Sequence, residues 1–393
     1  MNYNFDEIIE RKGTRCSKWD NVGPRTGNPD ALPMWVADTD FRTPQPVIDA
    51  VMARAQHPIY GYTYEADDYK LATKQWLSKR HGWEIDIDWV LFCTGVCPVL
   101  NSAVQCLSDP GDEIIIQRPV YHPFGFAVDD NSRIISDNCL TFKDGRYTVD
   151  FEDLERRAAS PKAKLMILCN PHNPVGRVWT RDELTHMAEI CLKHNVVMVS
   201  DEIHSDLMLF GSKHTPVASI DERFAMNTIT CYAPSKTFNM AGLCGSGIVV
   251  PNPEIREKLK KCFKRNRTVQ ENIFAAPAYI AAYTKSEDYV TQLLPYLEGN
   301  VRYLDEYLKT NMPKIKLVQP EALFLMWLDC RELGVTPEEL DHFFIWESRV
   351  AVNRGGMFGD EGLGFERLNV GCPRATLEKG LTQLHEQYVA RGF

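Results

Sequence analysis

Short apolar runs that close on small or polar residues recur along much of the chain, with segments of helical spacing between them. Residues 165–168 lead into Cys169-Asn170-Pro171-His172-Asn173-Pro174-Val175-Gly176, and residues 196–199 into Ser200-Asp201-Glu202-Ile203-His204. A β-branched run from Thr228 leads into Ala233-Pro234-Ser235-Lys236-Thr237-Phe238. Runs this short, bounded by turn formers, predict buried strands rather than helices. Residues 89–93 and 113–117 have the same form and close on Thr94-Gly95-Val96-Cys97-Pro98 and Arg118-Pro119-Val120-Tyr121-His122-Pro123. The apolar spacing predicts helices over 46–57, 69–80 and 151–159, and Thr180 with Glu183 forms a capping-box pattern opening a helix through Asn195. Strand and helix in alternation predict an α/β fold built on a mainly parallel sheet with right-handed crossovers.

After a further apolar run at 247–250 the pattern becomes helical to about residue 309, and then changes character. A strand is predicted at 323–328, a helix at 337–347, another short strand at Val350-Ala351-Val352, and a glycine-rich loop at 355–364. We therefore expect three parts: an arm over 1–45 packed with the small domain, a large domain over 46–285, and a smaller α+β domain over 286–393. The length of 393 residues accommodates this.

Composition narrows the classes of function. With 44% hydrophobic and 25% charged residues the chain has ordinary globular usage. A net charge of −9 argues against a nucleic-acid surface, and the main basic run, 258–265, reads as a solvated helix face. No apolar run is long enough to cross a bilayer. Twelve scattered cysteines, with no secretory leader before them, imply a reducing cytoplasm rather than a disulfide framework. Cys93, Cys97, Cys169, Cys191 and Cys231 read as small buried hydrophobes, and none has a zinc-like paired spacing.

Three successive strand ends deliver Asn173, Asp201 and Lys236 to one edge of the sheet, where open α/β sheets bind ligands. An amine on an apolar floor with a nearby carboxylate suits an aldehyde cofactor: the lysine forms the Schiff base and the acid holds a pyridinium nitrogen. The Thr94–Pro98 turn precedes a helical pattern through Val99, Ala103, Val104 and Leu107, so Gly95, Val96 and Cys97 present free amides and a positive dipole end, an anion seat. Asp201-Glu202 with His204 could also be read as metal ligands, but no second ligand cluster accompanies them, and no metal is expected.

With these motifs the chain resembles fold-type I pyridoxal-phosphate (PLP) enzymes, the aspartate aminotransferase superfamily, and within it the MalY/PatB group of cystathionine β-lyase-like C–S lyases. The likeness runs from Lys18-Trp19-Asp20 and Leu32-Pro33-Met34-Trp35-Val36-Ala37-Asp38 to Leu368-Asn369-Val370-Gly371-Cys372-Pro373-Arg374. It implies a seven-stranded-type, mainly parallel sheet flanked by helices, and pyridoxal 5'-phosphate as cofactor. Lys236 would carry it, Asp201 would face the ring nitrogen, and Asn173 would donate to the ring phenolate and face the substrate. Tyr121 would stack on the ring and is a candidate proton carrier. Gly95, Val96, Cys97 and Ser235 would hold the phosphate. Arg374 would bind the substrate carboxylate, and Ala37 and Tyr64 would border the substrate. Tyr62 would reach the phosphate of a neighbouring subunit, so a homodimer is implied.

Two positions depart from the aminotransferase pattern and match the lyase subgroup. His204 stands where many aminotransferases have a tyrosine near the phenolate, and Cys244 where they have a phosphate-binding arginine. The resemblance implies β-elimination from cystathionine or a related cysteine S-conjugate, giving thiol, pyruvate and ammonia. An aminotransferase, or a cofactor-binding regulatory protein with weak lyase activity, remains as the alternative.

Overall fold

The apolar runs assemble into a seven-stranded sheet in the computed structural model, which describes residues 1–64, 66–268 and 272–393. Its strands are β1 (Val90–Cys93), β2 (Glu113–Ile116), β3 (Ile134–Asp137), β4 (Ala163–Cys169), β5 (Val197–Asp201), β6 (Thr228–Tyr232) and β7 (Ser246–Val249), in the spatial order β1-β7-β6-β5-β4-β2-β3. β7 runs antiparallel to both its neighbours and every other pairing is parallel. The carboxyl ends of β1, β2, β4, β5 and β6 therefore share one edge. Register levels that edge: Cys169 lies opposite Asp201, and Asp201 opposite Cys231. Buried on both faces, these strands read as continuous apolar runs, as parallel sheets do.

Helices cover the sheet. They include α1 (Gln45–Gln56), α2 (Asp68–His81), α3 (Val96–Leu107), α4 (Pro123–Asp129), α5 (Phe151–Ala158) and α6 (Arg181–Lys193), with the capping box at Thr180 and Glu183 formed. α3 buries Val96, Val99, Leu100, Ala103 and Val104 in one cluster with Cys93, Ile114, Ile167, Val199 and Ile248 of the sheet. At about 1.5–3 kcal/mol for each large aliphatic side chain removed from water, that face fixes the helix whose first turn borders the site. Three further helices, α7 (Pro253–Asn266), α8 (Ala275–Lys285) and α9 (Glu287–Asn311), account for the helical pattern expected up to residue 309.

A second sheet, antiparallel and four-stranded, is built from β8 (Lys316–Leu317), β9 (Leu325–Asp329), β10 (Asn353–Arg354) and β11 (Phe365–Asn369), and α10 (Arg374–Ala390) follows it. Val350 and Ala351 pair instead with Leu32 and Pro33 of the N-terminal arm. The glycines of the 355–364 loop serve close approach: a Cβ on Gly355 would overlap the carbonyl oxygen of Gly362. The helix expected at 337–347 runs regularly only over Pro337–His342 and then widens into a looser turn over Phe343–Glu347.

Candidate active site

Five strand ends surround a cavity of about 240 Å³ at the carboxyl edge of the large sheet. Its wall includes Gly95, Val96 and Cys97 after β1, Tyr121 after β2, Asn173 after β4, Asp201 and His204 at and after β5, Ser235 and Lys236 after β6, and Ala37 from the arm. All ten were expected at a site from the sequence. Thr94, Cys169, Ile203, Ala241, Cys244, Gly245 and Ser246 complete much of the wall.

Lys236 points its Nζ at the carbonyl oxygen of Ala37, 2.8 Å away. Burial lowers the pKa of its amine and the Arg367 cation adds to this, against the opposing pull of Asp38, Asp201 and Cys97. Asp201 is only 4% exposed and accepts one hydrogen bond, from the Ile203 amide at 3.2 Å. Burial raises its carboxyl to about 7, the Ile203 amide and the Lys236 charge oppose that, and Glu202 reinforces it. His204 is buried with its Nδ1 unpartnered, and burial, then the Lys236 and Arg367 charges, hold it well below the usual imidazole range. A buried acid with so few partners, facing an amine biased toward its neutral form, fits the donor set of a protonated pyridine aldehyde: the acid needs a cationic N–H, and the amine can condense.

The phosphate end fits as well. Gly95 caps α3, and the amides of its first turn, at Val96 and Cys97, have no intrahelical partners. The Cys97 thiol is raised by burial and by the Asp201 charge, against a hydrogen bond with Tyr121, so it is a neutral wall rather than a charge there. Asp201, Glu202 and His204 do not converge on a point: Glu202 binds Ser200, His214 and Tyr232 instead. Among the described residues, the one three-ligand group lies elsewhere, at Asp137, Cys139 and Glu361.

Arg374, expected to bind the substrate carboxylate, is not brought to the cavity. It opens α10, where its Nε donates to Asn300 Oδ1 at 2.9 Å and its guanidinium lies over the Tyr303 ring, so it takes no part in the cavity wall. The buried arginine beside the cavity is Arg367, on β11. One Nη donates to Asn173 Oδ1 at 2.9 Å, and the other to Asn353 Oδ1 and the Trp35 carbonyl. Its Nε is buried without a partner, and burial lowers its pKa to about 10. In the sequence Arg367 stands beside Glu366 and two residues before Asn369, so no local pattern set it apart.

Residues 36–384 match the sequence profile described as aminotransferase class I and II. The chain belongs to that family. Within it the chain is 45% identical over 381 residues to cystathionine beta-lyase PatB of Bacillus subtilis, covering 97% of this chain and 98% of that one. It is 33% identical to protein MalY of Escherichia coli, again over 97% and 98% of the two chains. The crystal structure of cystalysin from Treponema denticola, which contains a pyridoxal 5'-phosphate cofactor, superposes with a TM-score of 0.95 at 35% identity over the whole of both chains. In this family member Cys244 sits on the cavity wall with φ 52°, beside Gly245 and Ser246. Tyr62 and Tyr64 do not reach the wall: they are 97% and 80% exposed on an outlying loop.

Proposed function

We propose that this protein is a PLP-dependent carbon–sulfur β-lyase that cleaves L-cystathionine or a related cysteine S-conjugate to thiol, pyruvate and ammonia. The observation that carries it is the pairing of Lys236 with Asp201 across one cavity, in a chain so similar to a cystathionine β-lyase over its full length. When bound, the cofactor supplies an electron sink conjugated to the substrate's α-carbon.

The chain's own residues divide the remaining work. Asp201 is held in place to take the ring-nitrogen side as an anion, because a cation at contact distance reverses the effect of its burial. Gly95, Val96 and Cys97 offer amides to the phosphate, with Ser235 adding a hydroxyl. Asn173, fixed by Arg367 at 2.9 Å, orients the phenolate side, and Arg367 supplies the permanent charge for the substrate carboxylate. Lys236 takes the α-proton on Nζ, for which a lowered pKa suits it. Tyr121, half-buried with its phenol pushed up by burial, is protonated and can donate to the leaving sulfur. Ala37 borders the substrate, and the loop of Tyr62 and Tyr64 serves a neighbouring copy, Tyr62 at its phosphate seat and Tyr64 beside its substrate, so the working unit is a homodimer. The same reading divides the chain near residues 45 and 285. The twelve unpaired cysteines support a cytoplasmic setting, and among the described residues no helix is long and apolar enough to cross a membrane.

The test is direct. Purified protein loaded with cofactor and given L-cystathionine should release thiol and pyruvate together, at a rate that an added keto acid leaves unchanged. Amino transfer that depends on the keto acid, without thiol, would replace this reading with that of an aminotransferase.

A further inference from the structure

Asp201 and Lys236 are each followed in the chain by a buried polar residue that does not line the cavity, Glu202 and Thr237. Both side chains lead into the same assembly. Glu202 accepts hydrogen bonds from Ser200 Oγ at 2.8 Å, the Val217 amide at 3.2 Å and the Tyr232 hydroxyl, and pairs with His214 Nε2 at 2.8 Å. Thr237 donates its hydroxyl to Asp206 at 3.1 Å, and Trp76 of α2 donates its indole N–H to both oxygens of the same carboxylate at 3.1 and 3.2 Å. His81 joins the halves: its Nε2 is 3.3 Å from Asp206, and its ring meets that of His214 edge-on with centroids 5.1 Å apart.

We infer that Glu202 and Asp206, linked through His214 and His81, form a buried brace that sets the spacing between Asp201 and Lys236 for the reaction proposed above. The argument is geometric. Asp201 makes one side-chain hydrogen bond of its own, so its position follows from its backbone, which is held by the Asn170 amide at 2.9 Å and, one residue on, by the Glu202 amide on the Cys231 carbonyl at 3.0 Å. The Lys236 loop lies beyond the end of β6; its backbone–backbone bonds, Phe238 to Pro234 and Met240 to Ser235, are internal to it, and its far end, at Asn239, is tied to the arm through Thr39, Phe41 and Thr43, so Thr237 is the anchor next to Lys236 itself. Lys236 must also leave the Ala37 carbonyl to move a proton. An anchor that survives this motion has to act from outside the cavity, and Thr237 on Asp206 does so. Two carboxylates buried this deeply are costly unless fully paired, and here each has at least three donors or cations around it. Glu202, Asp206 and Thr237 are thus positioning residues, since none touches the cavity.

The test uses the full-length chain with Thr237→Val, Thr237→Ser, Asp206→Asn and Glu202→Gln. In cofactor-free protein, the pH midpoint for acylation of Lys236 by a trace neutral reagent is read by peptide mass spectrometry. In loaded protein, kcat and KM are read from thiol release. Displacement of the amine by a fraction of an ångström should lower kcat of Thr237→Val and Asp206→Asn by about 10- to 100-fold, with KM within about threefold and the labelling midpoint moved by about half a pH unit or more. Thr237→Ser should match the parent, and the Thr237→Val/Asp206→Asn double variant should lose no more than the worse single, because the two act through one contact. An unchanged midpoint and kcat in Thr237→Val overturns the brace, as does equal damage from Thr237→Ser and Thr237→Val. Should Asp206→Asn fail to fold, the near-isosteric Thr237 pair decides. A parent that releases no thiol would fell the lyase reading, while the labelling midpoints would still judge the brace.

Discussion

Asp201 is bought at a loss of stability, and the loss has a definite pH window. Burial lifts its carboxyl from 3.8 to about 7, so the folded chain binds that proton more tightly than the unfolded chain does. Below about pH 4 the group is protonated in both states and costs nothing; as the pH rises from there toward 7 stability falls, and above 7 the full cost is present. At about 1.4 kcal/mol per tenfold change in proton affinity, the ceiling is about 4 kcal/mol. Cofactor-free Asp201→Asn should therefore melt above the cofactor-free parent at pH 8, with the gap closing by pH 4, and the variant loaded with cofactor should lose lyase activity. A scanning-calorimetry series across that range checks it, and a variant that melts below the parent at pH 8 would contradict the assignment. The two arginines separate at the same scale. Arg367→Ala leaves Asn173 and Asn353 without their shared cation and should cost about 10³-fold or more in kcat/KM for thiol release. Arg374→Ala removes a half-buried bond to Asn300 and a ring contact, and should lower Tm with kcat/KM within about threefold. Steady-state kinetics on the two variants settle which arginine serves the substrate.

Among the elements, the N-terminal arm does more than its turn-rich sequence announces. Lys18 is 1% exposed and meets Asp40 at 2.7 Å; Arg11 clasps Asp38 at 2.7 Å and Asp40 at 2.6 Å; Asn369 Nδ2 donates to the carbonyls of Val36 and Asp38. These contacts hold the Ala37 carbonyl against Lys236. Burial raises Asp40, but Lys18, Trp19 and Arg11 outweigh it, so its carboxyl is held below the usual range and its stabilising contribution, present at neutral pH, is lost as the pH falls through that lowered value. Lys18→Met should cost about 3 kcal/mol by stranding part of that charge, and it should open the arm to protease well before the whole chain unfolds. Limited proteolysis against calorimetry tests this; digestion no faster than global unfolding would count against it. The sheet was readable from sequence because strands buried on both faces must be apolar runs, and their ends must be polar where ligands bind. β3 was not, since Ile134 and Ile135 are too few and too exposed at the sheet edge to stand out from a loop. Arg367 escaped because its role depends on Asn173, 194 residues away in the chain, whereas Arg374 sat in a more conspicuous motif. The polar assembly behind Glu202 and Thr237 joins residues from 76 to 237, and no local spacing records it.

For the whole molecule, the proposed dimer turns on an exposed aromatic loop. Ile59, Tyr60, Tyr62 and Tyr64 are all more than half exposed, an apolar cluster that would ordinarily be covered. If a second copy covers it and receives Tyr62 at its phosphate, each site needs two chains, and mixing distinguishes this from a surface loop. Lys236→Ala and Tyr62→Ala homodimers should each be nearly inactive, the first for want of the amine, the second for want of a phosphate ligand. After dissociation and reassociation of equal amounts, a hybrid dimer has one site lacking both groups and one site with both intact. About half of all dimers are then hybrids carrying one good site, so thiol release should recover to about a quarter of the parent's rate, given random pairing of two variants. A Tyr62 that acted on its own chain's site would leave no intact site in any hybrid. The mixture would then release thiol no faster than the average of its two parents.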